Sequence, residues 1–410
     1  MSEQNKPSQA VNEFNQVMKP VSLWADAWKR LRRNRMALVS LWIVLFYFAV
    51  CLFAPLLTKA GILLDSNEQI IQHASIRPSF KPAGELVIEK MEKRIATIEE
   101  TLAERGEQVA PAATFSFDFG AAPGTESATE SPPAVDGFAL DFGGSGADTS
   151  SSDPLVRELK FQKEDLETMK REIASNPLHK RVYILGTDDL GRDMLARIIY
   201  GGRISLAIGV VGTLTAALVG IIYGALAGYI GGMLDNLMMR FVDIMFGLPY
   251  MLIVIIIMAM VGEAARGNFV VLFIAIALVS WLTIARVVRG QVISLKNAEF
   301  VEAARSMGAN TSRILFRHLL PNTMGVIVVY ATLLMPSFIM NESFLSYLGL
   351  GVSAPAASWG TLVSEGVRAM ELQPWQLLAP AITMTIFLFC MNFLGDGVRD
   401  ALDPQSKNRT

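Results

Sequence analysis

Residues 299–322 read Glu299-Phe-Val-Glu302-Ala303-Ala304-Arg305-Ser306-Met307-Gly308, then nine residues, then His318-Leu319-Leu320-Pro321-Asn322. Phe300, Ala303, Ala304 and Met307 fall at steps of three and four, which predicts a short amphipathic helix over 298–307. Gly308 is the residue type that ends a helix in left-handed backbone. Arg313, Arg317 and the Leu-Leu-Pro that follows open a second helical run. A rigid helix-turn of this kind is either a knob for docking a partner or an amphipathic helix lying on a membrane surface. On both sides the chain becomes strongly apolar, over 269–284 before it and 325–348 after it.

Moving outward, the same apolar character recurs. The chain is 52% hydrophobic and only 18% charged, against about a quarter charged in soluble domains, and its mean hydropathy is +0.38. The deficit of charge is concentrated in six runs, 37–57, 204–230, 241–261, 269–284, 325–348 and 377–394. A bilayer core needs about 20 helical residues, so the fold class is an all-α membrane protein with six transmembrane helices. Lys29, Arg30, Arg32, Arg33 and Arg35 precede the first run, which places the N-terminus in the cytoplasm by the positive-inside rule. Six crossings return the C-terminus to the same side. The connection 285–322, with Arg286, Arg289, Lys296, Arg305, Arg313 and Arg317 against Glu299 and Glu302, then also falls inside. Arg192, Arg197 and Arg203 are placed outside, after a loop too long for that rule to count. The polar stretch before the first run lacks the pattern of a cleaved leader, so a retained anchor is expected.

In the second run Gly212, Ala216, Gly220, Gly224 and Gly228 recur every fourth position and leave one helix face nearly flat, ready for close packing. Pro249, Pro336 and Pro380 lie within runs, where each permits a kink. Between the first two runs, 58–181 is unlike the rest. Ile88, Met91, Ile95, Ile98 and Leu102, and later Leu155, Leu159, Gln162, Leu166, Met169 and Ile173, keep heptad-like spacing. Two such arms, about 85–108 and 153–176, would pair as an antiparallel coiled hairpin. They flank 110–152, whose Gly, Ala, Ser, Pro and acidic composition predicts disorder. Within it Phe115-Ser-Phe-Asp-Phe-Gly120 recurs as Phe138-Ala-Leu-Asp-Phe-Gly143. The chain thus divides into a cytoplasmic segment 1–36, the first span 37–57, an external insertion 58–181, a transmembrane domain 182–405 and a tail 406–410.

No chemistry of catalysis is visible. Cys51 and Cys390 sit in apolar runs, and His73, His179 and His318 are scattered, so neither a disulfide framework nor a metal site can be built. No Gly-x-x-x-x-Gly-Lys-Ser/Thr loop is present to hold a nucleotide, and no cofactor is expected. A net charge of −2 gives no reason to expect nucleic acid. Two polar features stand near the spans. Asn341 and Glu342, toward one end of the fifth, either line a translocation path or form a structural pair. Asp396, Arg399, Asp400 and Asp403, at the end of the sixth, are expected to form a network of charges.

The pattern Glu302-Ala303-Ala304, three residues, Gly308, nine residues, then two positions before Leu320-Pro321 resembles the signature loop of ABC importer permeases. His318 stands where that family often has isoleucine, yet Arg317-His318-Leu-Leu-Pro321-Asn322 resembles its peptide and nickel branch. Leu185-Gly186-Thr187-Asp188-Asp189-Leu190-Gly191-Arg192-Asp193, Ser346-Tyr-Leu348-Gly349-Leu350-Gly351 with Pro355 and Trp359-Gly360, and Gly395-Asp396-Gly-Val-Arg399-Asp400-Ala-Leu402-Asp403-Pro404 are similar to further segments of that branch. The resemblance covers about 25–57 and 182–405, and the insertion departs from it. It implies a pore-forming subunit of the bacterial inner membrane without its own ATPase site. It also implies a second permease subunit in a heterodimer, cytoplasmic ATP-binding subunits and an external solute-binding protein. Glu302, Ala303, Ala304, Gly308, Leu320 and Pro321 would form the loop coupled to the ATPase, with Glu302 capping nearby N–H groups or pairing with a partner's arginine. A self-sufficient secondary transporter would instead show charges within several spans or two repeated halves, and a membrane-anchored scaffold would act through the hairpin alone.

Overall fold

The computed structural model describes residues 23–108, 154–262 and 268–402. The predicted disordered stretch 110–152, the tail 406–410, Asp403 and most of the N-terminal segment lie outside them. The chain divides into two compact units, Phe80–Val182 and the remainder. Before the insertion come α1 (Leu23–Arg33), α2 (Arg35–Leu52) and the short α3 (Ala54–Lys59), and the insertion itself holds α4 (Ala83–Gln108) and α5 (Pro154–Ser175). Then follow α6 (Met194–Ile230), α7 (Gly232–Gly247), α8 (Tyr250–Val261), α9 (Phe269–Ser280) and α10 (Leu282–Leu295). The last are α11 (Glu299–Ser306), α12 (Thr311–Ile314), α13 (Leu320–Tyr347), α14 (Trp359–Ala369) and α15 (Pro374–Leu402).

Among the described residues five helical stretches are long and apolar enough to cross a membrane: Arg35–Leu52, Met194–Ile230, Val270–Leu295, Thr311–Tyr347 and Pro374–Leu402. The pair α7 and α8 passes the same test together, bent by 87°. The expected single helix 241–261 is therefore broken. Pro249 has no N–H to donate, and its ring drives Leu248 into extended backbone (φ −92°, ψ 139°). By contrast α13 and α15 run unbroken through Pro336 and Pro380. The fourth span is also longer than expected. Arg286 and Arg289 belong to α10 rather than to a loop, because each finds a carboxylate on α7. Arg289 grips Asp235 through Nε and Nη2 at 2.6 and 2.7 Å, and Arg286 donates to Asp243 at 2.8 Å.

The helix α6 organises the membrane unit. Its small residues are buried, and they admit α10 to backbone distance and α13 side chains to close contact. A Cβ on Gly224 would stand 2.2 Å from the Ala285 carbonyl oxygen, and one on Gly212 would stand 2.7 Å from the Phe338 ring. On the other side α15 packs against α2, α13 and α14. There Tyr47, Trp359 and Phe387 form an aromatic cluster with centroids 5.3–5.9 Å apart. The basic segment before the first span is itself helical. In α1 the ion pair Arg30–Asp26 faces outward, while Ala27 and Leu31 pack on Ala37 and Ala401.

The unit Phe80–Val182 is a helical hairpin. Val87, Ile95, Ile98 and Leu166 are buried along its seam, and the ion pairs Lys170–Glu92 and Lys163–Glu99 show α4 and α5 running in opposite directions. Exposed pairs of this kind contribute well under about 1 kcal/mol each, so the apolar seam holds the arms together. The base closes where Ala83 N donates to the Arg181 carbonyl at 2.7 Å.

Candidate functional site

The predicted loop residues gather on one projection. The helix α11 ends in a complete Schellman arrangement: Gly308 N donates to Arg305 O at 3.0 Å and Ala309 N to Ala304 O at 3.0 Å, with Gly308 at φ +80°. Asn310 then caps α12 by accepting from Arg313 N at 2.9 Å. Burial differs from the sequence reading of the amphipathic face. Val301 and Ala304 are the buried positions, and Val301 packs with Ile314, Leu315 and Leu319. Phe300, Ala303 and Met307 are exposed, Met307 by 81%. The projection therefore carries one apolar face inward and a second outward. Among the described residues the Glu302 carboxylate caps no N–H group and pairs with no cation, and it points to solvent.

Leu320 and Pro321 follow a wide turn. Residues Leu315–Leu319 form a π-helical turn in which Leu320 N reaches back to Leu315 O. Pro321 cannot donate to the carbonyl four residues earlier and its ring crowds that carbonyl, so the preceding turn opens. The Asn322 side chain donates to His318 O at 2.6 Å across the same turn.

At the opposite end of α6 the segment Leu185–Asp193 is wound around Asp188. Its carboxylate accepts from Leu190 N and Arg192 N, both at 2.9 Å, from Arg192 Nε at 2.7 Å and from Arg197 Nη1 at 2.8 Å. Arg197 is buried inside α6 and also reaches Glu365 of α14 at 2.8 Å. Arg192 and Arg197 are thus neutralised locally. Asp193 caps α6 by accepting from Leu195 N and Ala196 N, each at 3.2 Å. Burial outweighs these donors and pushes its carboxyl up to about 6. Glu365 escaped the sequence reading, since no local pattern joins it to Arg197, 168 residues earlier; so did the Ser358 partner of Glu342 described next, which lies 16 residues on in another element.

Asn341 and Glu342 are adjacent in α13 but diverge. The Glu342 carboxylate is fully buried and accepts from Ser346 Oγ at 2.7 Å and Ser358 Oγ at 2.6 Å. Ser358 also caps α14, and Ser205 of α6 accepts from the next amide, Trp359 N, at 3.0 Å. Asn341 instead lines a cavity of about 440 Å³ beside the α7–α8 break. The expected network at the end of α15 does not form among the described residues. Asp396, Arg399 and Asp400 are exposed without ion pairs, as suits charges that gain little from pairing in water.

Comparison with known proteins matches this arrangement to a family. The profile described as "Binding-protein-dependent transport system inner membrane component" matches residues 220–408, and "N-terminal TM domain of oligopeptide transport permease C" matches residues 22–73. The oligopeptide transport system permease protein OppC of Escherichia coli (strain K12) is 48% identical over 254 residues, covering 62% of this chain and 82% of that protein. The chain belongs to the binding-protein-dependent transport permeases.

Within that family, OppC of Bacillus subtilis (strain 168) is 46% identical over 245 residues, 60% of this chain and 79% of the relative. The dipeptide transport system permease protein DppC of the same organism is 46% identical over 221 residues, 54% of this chain and 68% of the relative. The two family profiles leave residues 74–219 uncovered, and the hairpin unit lies within that gap.

Proposed function

We propose that this permease is one of two membrane-spanning subunits of an ATP-driven peptide importer, and that α11 is the element through which separate cytoplasmic ATPase subunits drive it. The observation that carries this reading is the doubly apolar α11. Val301 roots it in the core shared by α10 and α13, with Ala304 also buried, while Phe300, Ala303 and Met307 face outward. A partner that moves the outward face moves the bundle with it. Glu302, exposed beside that face, is placed to meet a partner's arginine, and Ala303 and Gly308 allow close approach. Leu320 and Pro321 join the projection to α13.

The partners in this reading are a second permease subunit forming a heterodimer, ATP-binding subunits and an external solute-binding protein. The N-terminus, the C-terminus and α11 lie on the cytoplasmic side of a bacterial inner membrane, and the insertion 58–181 lies outside. The subunit performs no hydrolysis. Peptides are favoured over nickel as cargo because the relatives above carry oligopeptide or dipeptide names. Asn341 lines part of the path, whereas Glu342, held by serines of two elements, clasps α13 to the start of α14. Copurification from native membranes followed by peptide uptake in reconstituted vesicles tests the reading. A second six-span permease, a nucleotide-binding ATPase and peptide uptake are the expected result. Wild-type uptake by Glu302→Arg and Gly308→Trp variants would remove α11 from the coupling.

A further inference from the structure

We infer that the cavity beside the α7–α8 break is a peptide-contact station that reads the peptide main chain through uncharged hydrogen-bonding groups; this rests on the peptide-importer reading above. Three irregularities of the spans border this one space. The first is the 87° break at Leu248 and Pro249. The second is Trp281, where α9 and α10 meet in the middle of one span. The third is Pro336 of α13, whose neighbours Ser337 and Phe338 line the cavity. Pro249 and Pro336 each lack an N–H, so neither supplies the carbonyl four residues earlier with its usual helical partner. In hydrocarbon these groups are tolerated only against protein or a water-filled space, and interrupted helices are where transporters present backbone to a solute.

The side chains lining the same space continue that chemistry. The Tyr250 hydroxyl lies 3.3 Å from Ser280 Oγ, bridging the first interruption to the second. Ser280 gives its proton to Ile276 O at 2.8 Å, so its oxygen is left to accept. The Asn341 amide lies against the Tyr250 hydroxyl, and Thr283 stands one turn beyond Ser280. Among the described residues no charged side chain lines it. A fixed charge would select among peptides by their side chains. Neutral donors and acceptors recognise what every peptide shares, the amide N–H and C=O, and such bonds are weak enough to release them.

The test uses the full complex in vesicles. Thr283→Cys and Ser337→Cys are placed separately in a Cys51→Ala, Cys390→Ala background and exposed to a charged, water-soluble methanethiosulfonate reagent. Both thiols should react, and a saturating transported peptide with ATP should slow the reaction. Leu278→Cys, on an exposed apolar face of α9, should not react. In parallel Asn341→Leu should lower peptide uptake about tenfold, the scale of one lost hydrogen bond, and Asn341→Gln should restore most of it. Thiols that stay unreactive, or react without peptide protection while uptake proceeds, overturn the station. So does wild-type uptake by Asn341→Leu. A wild-type complex that imports no peptide overturns the peptide reading itself, and that result needs no substitution to be seen.

Discussion

At the residue scale the most consequential groups are buried charges with several partners. Asp188 answers four donors from its own segment and from α6. Removing one member of such a cluster leaves the others desolvated and unpaired, at a cost of about 3–5 kcal/mol. Asp188→Ala should therefore lower the midpoint of thermal aggregation in detergent by far more than Asp396→Ala, whose carboxylate is exposed; equal shifts would contradict the burial argument. Glu342→Ala should likewise destabilise by about 2 kcal/mol, because the Ser346 and Ser358 hydroxyls lose their acceptor. Glu342→Gln keeps an accepting oxygen and should fold and transport close to normally; a marked loss of uptake with a normal melting profile would instead put the charge in the path. Asp193 adds a pH dependence. Its folded carboxyl titrates near 6 rather than at the ordinary 3.8, so the folded chain holds that proton more tightly than the unfolded chain. Its contribution is fully present below about 3.8 and lost as pH rises through about 6. Asp193→Asn retains a capping oxygen and should flatten the fall in melting temperature between pH 5 and 7.5. Asp188 and Asp193 stood within a quoted motif, but their roles depend on Arg197 and on backbone donors that spacing alone does not reveal.

At the element scale, hydropathy located the spans but could not divide them. A window of about 19 residues averages across Pro249 and Trp281, so 241–261 read as one helix although Pro249 breaks it by 87°. The periodicity of α11 was visible, yet its buried stripe passes through Val301 rather than Ala303, because Ile314 and Leu315 return from α12 to cover that side. The small-residue stripe of α6 carried its meaning directly. Gly224→Leu should prevent α6 and α10 from meeting, since even a Cβ there collides with the Ala285 carbonyl. The expected outcome is loss of assembled complex on native gels, with Gly290→Leu, where a Cβ meets nothing within 4 Å, assembling normally.

At the scale of the whole molecule, one unit was written in long-range hydrophobic pattern and the other in heptads, and both were legible for that reason. The packing of α1 on Ala37 and Ala401 was not, because its charged residues masked two small apolar ones. Removing 110–152 and joining α4 to α5 with a short flexible linker should leave complex assembly and uptake unchanged, as the seam lies in the arms; loss of uptake with intact assembly would make that stretch a partner site. A wider consequence lies in the membrane unit's own backbone. Ser79 N donates to Tyr183 O at 3.2 Å, so the two strands of chain that leave and re-enter this unit are already bonded to each other there. Such a closed doorway lets an inserted module be gained, exchanged or shed in one genetic step, with little added cost of loop closure. The permease can be viewed as a chassis with a built-in port, to which a lineage, or an engineer, can fit another domain without re-solving the fold beneath it.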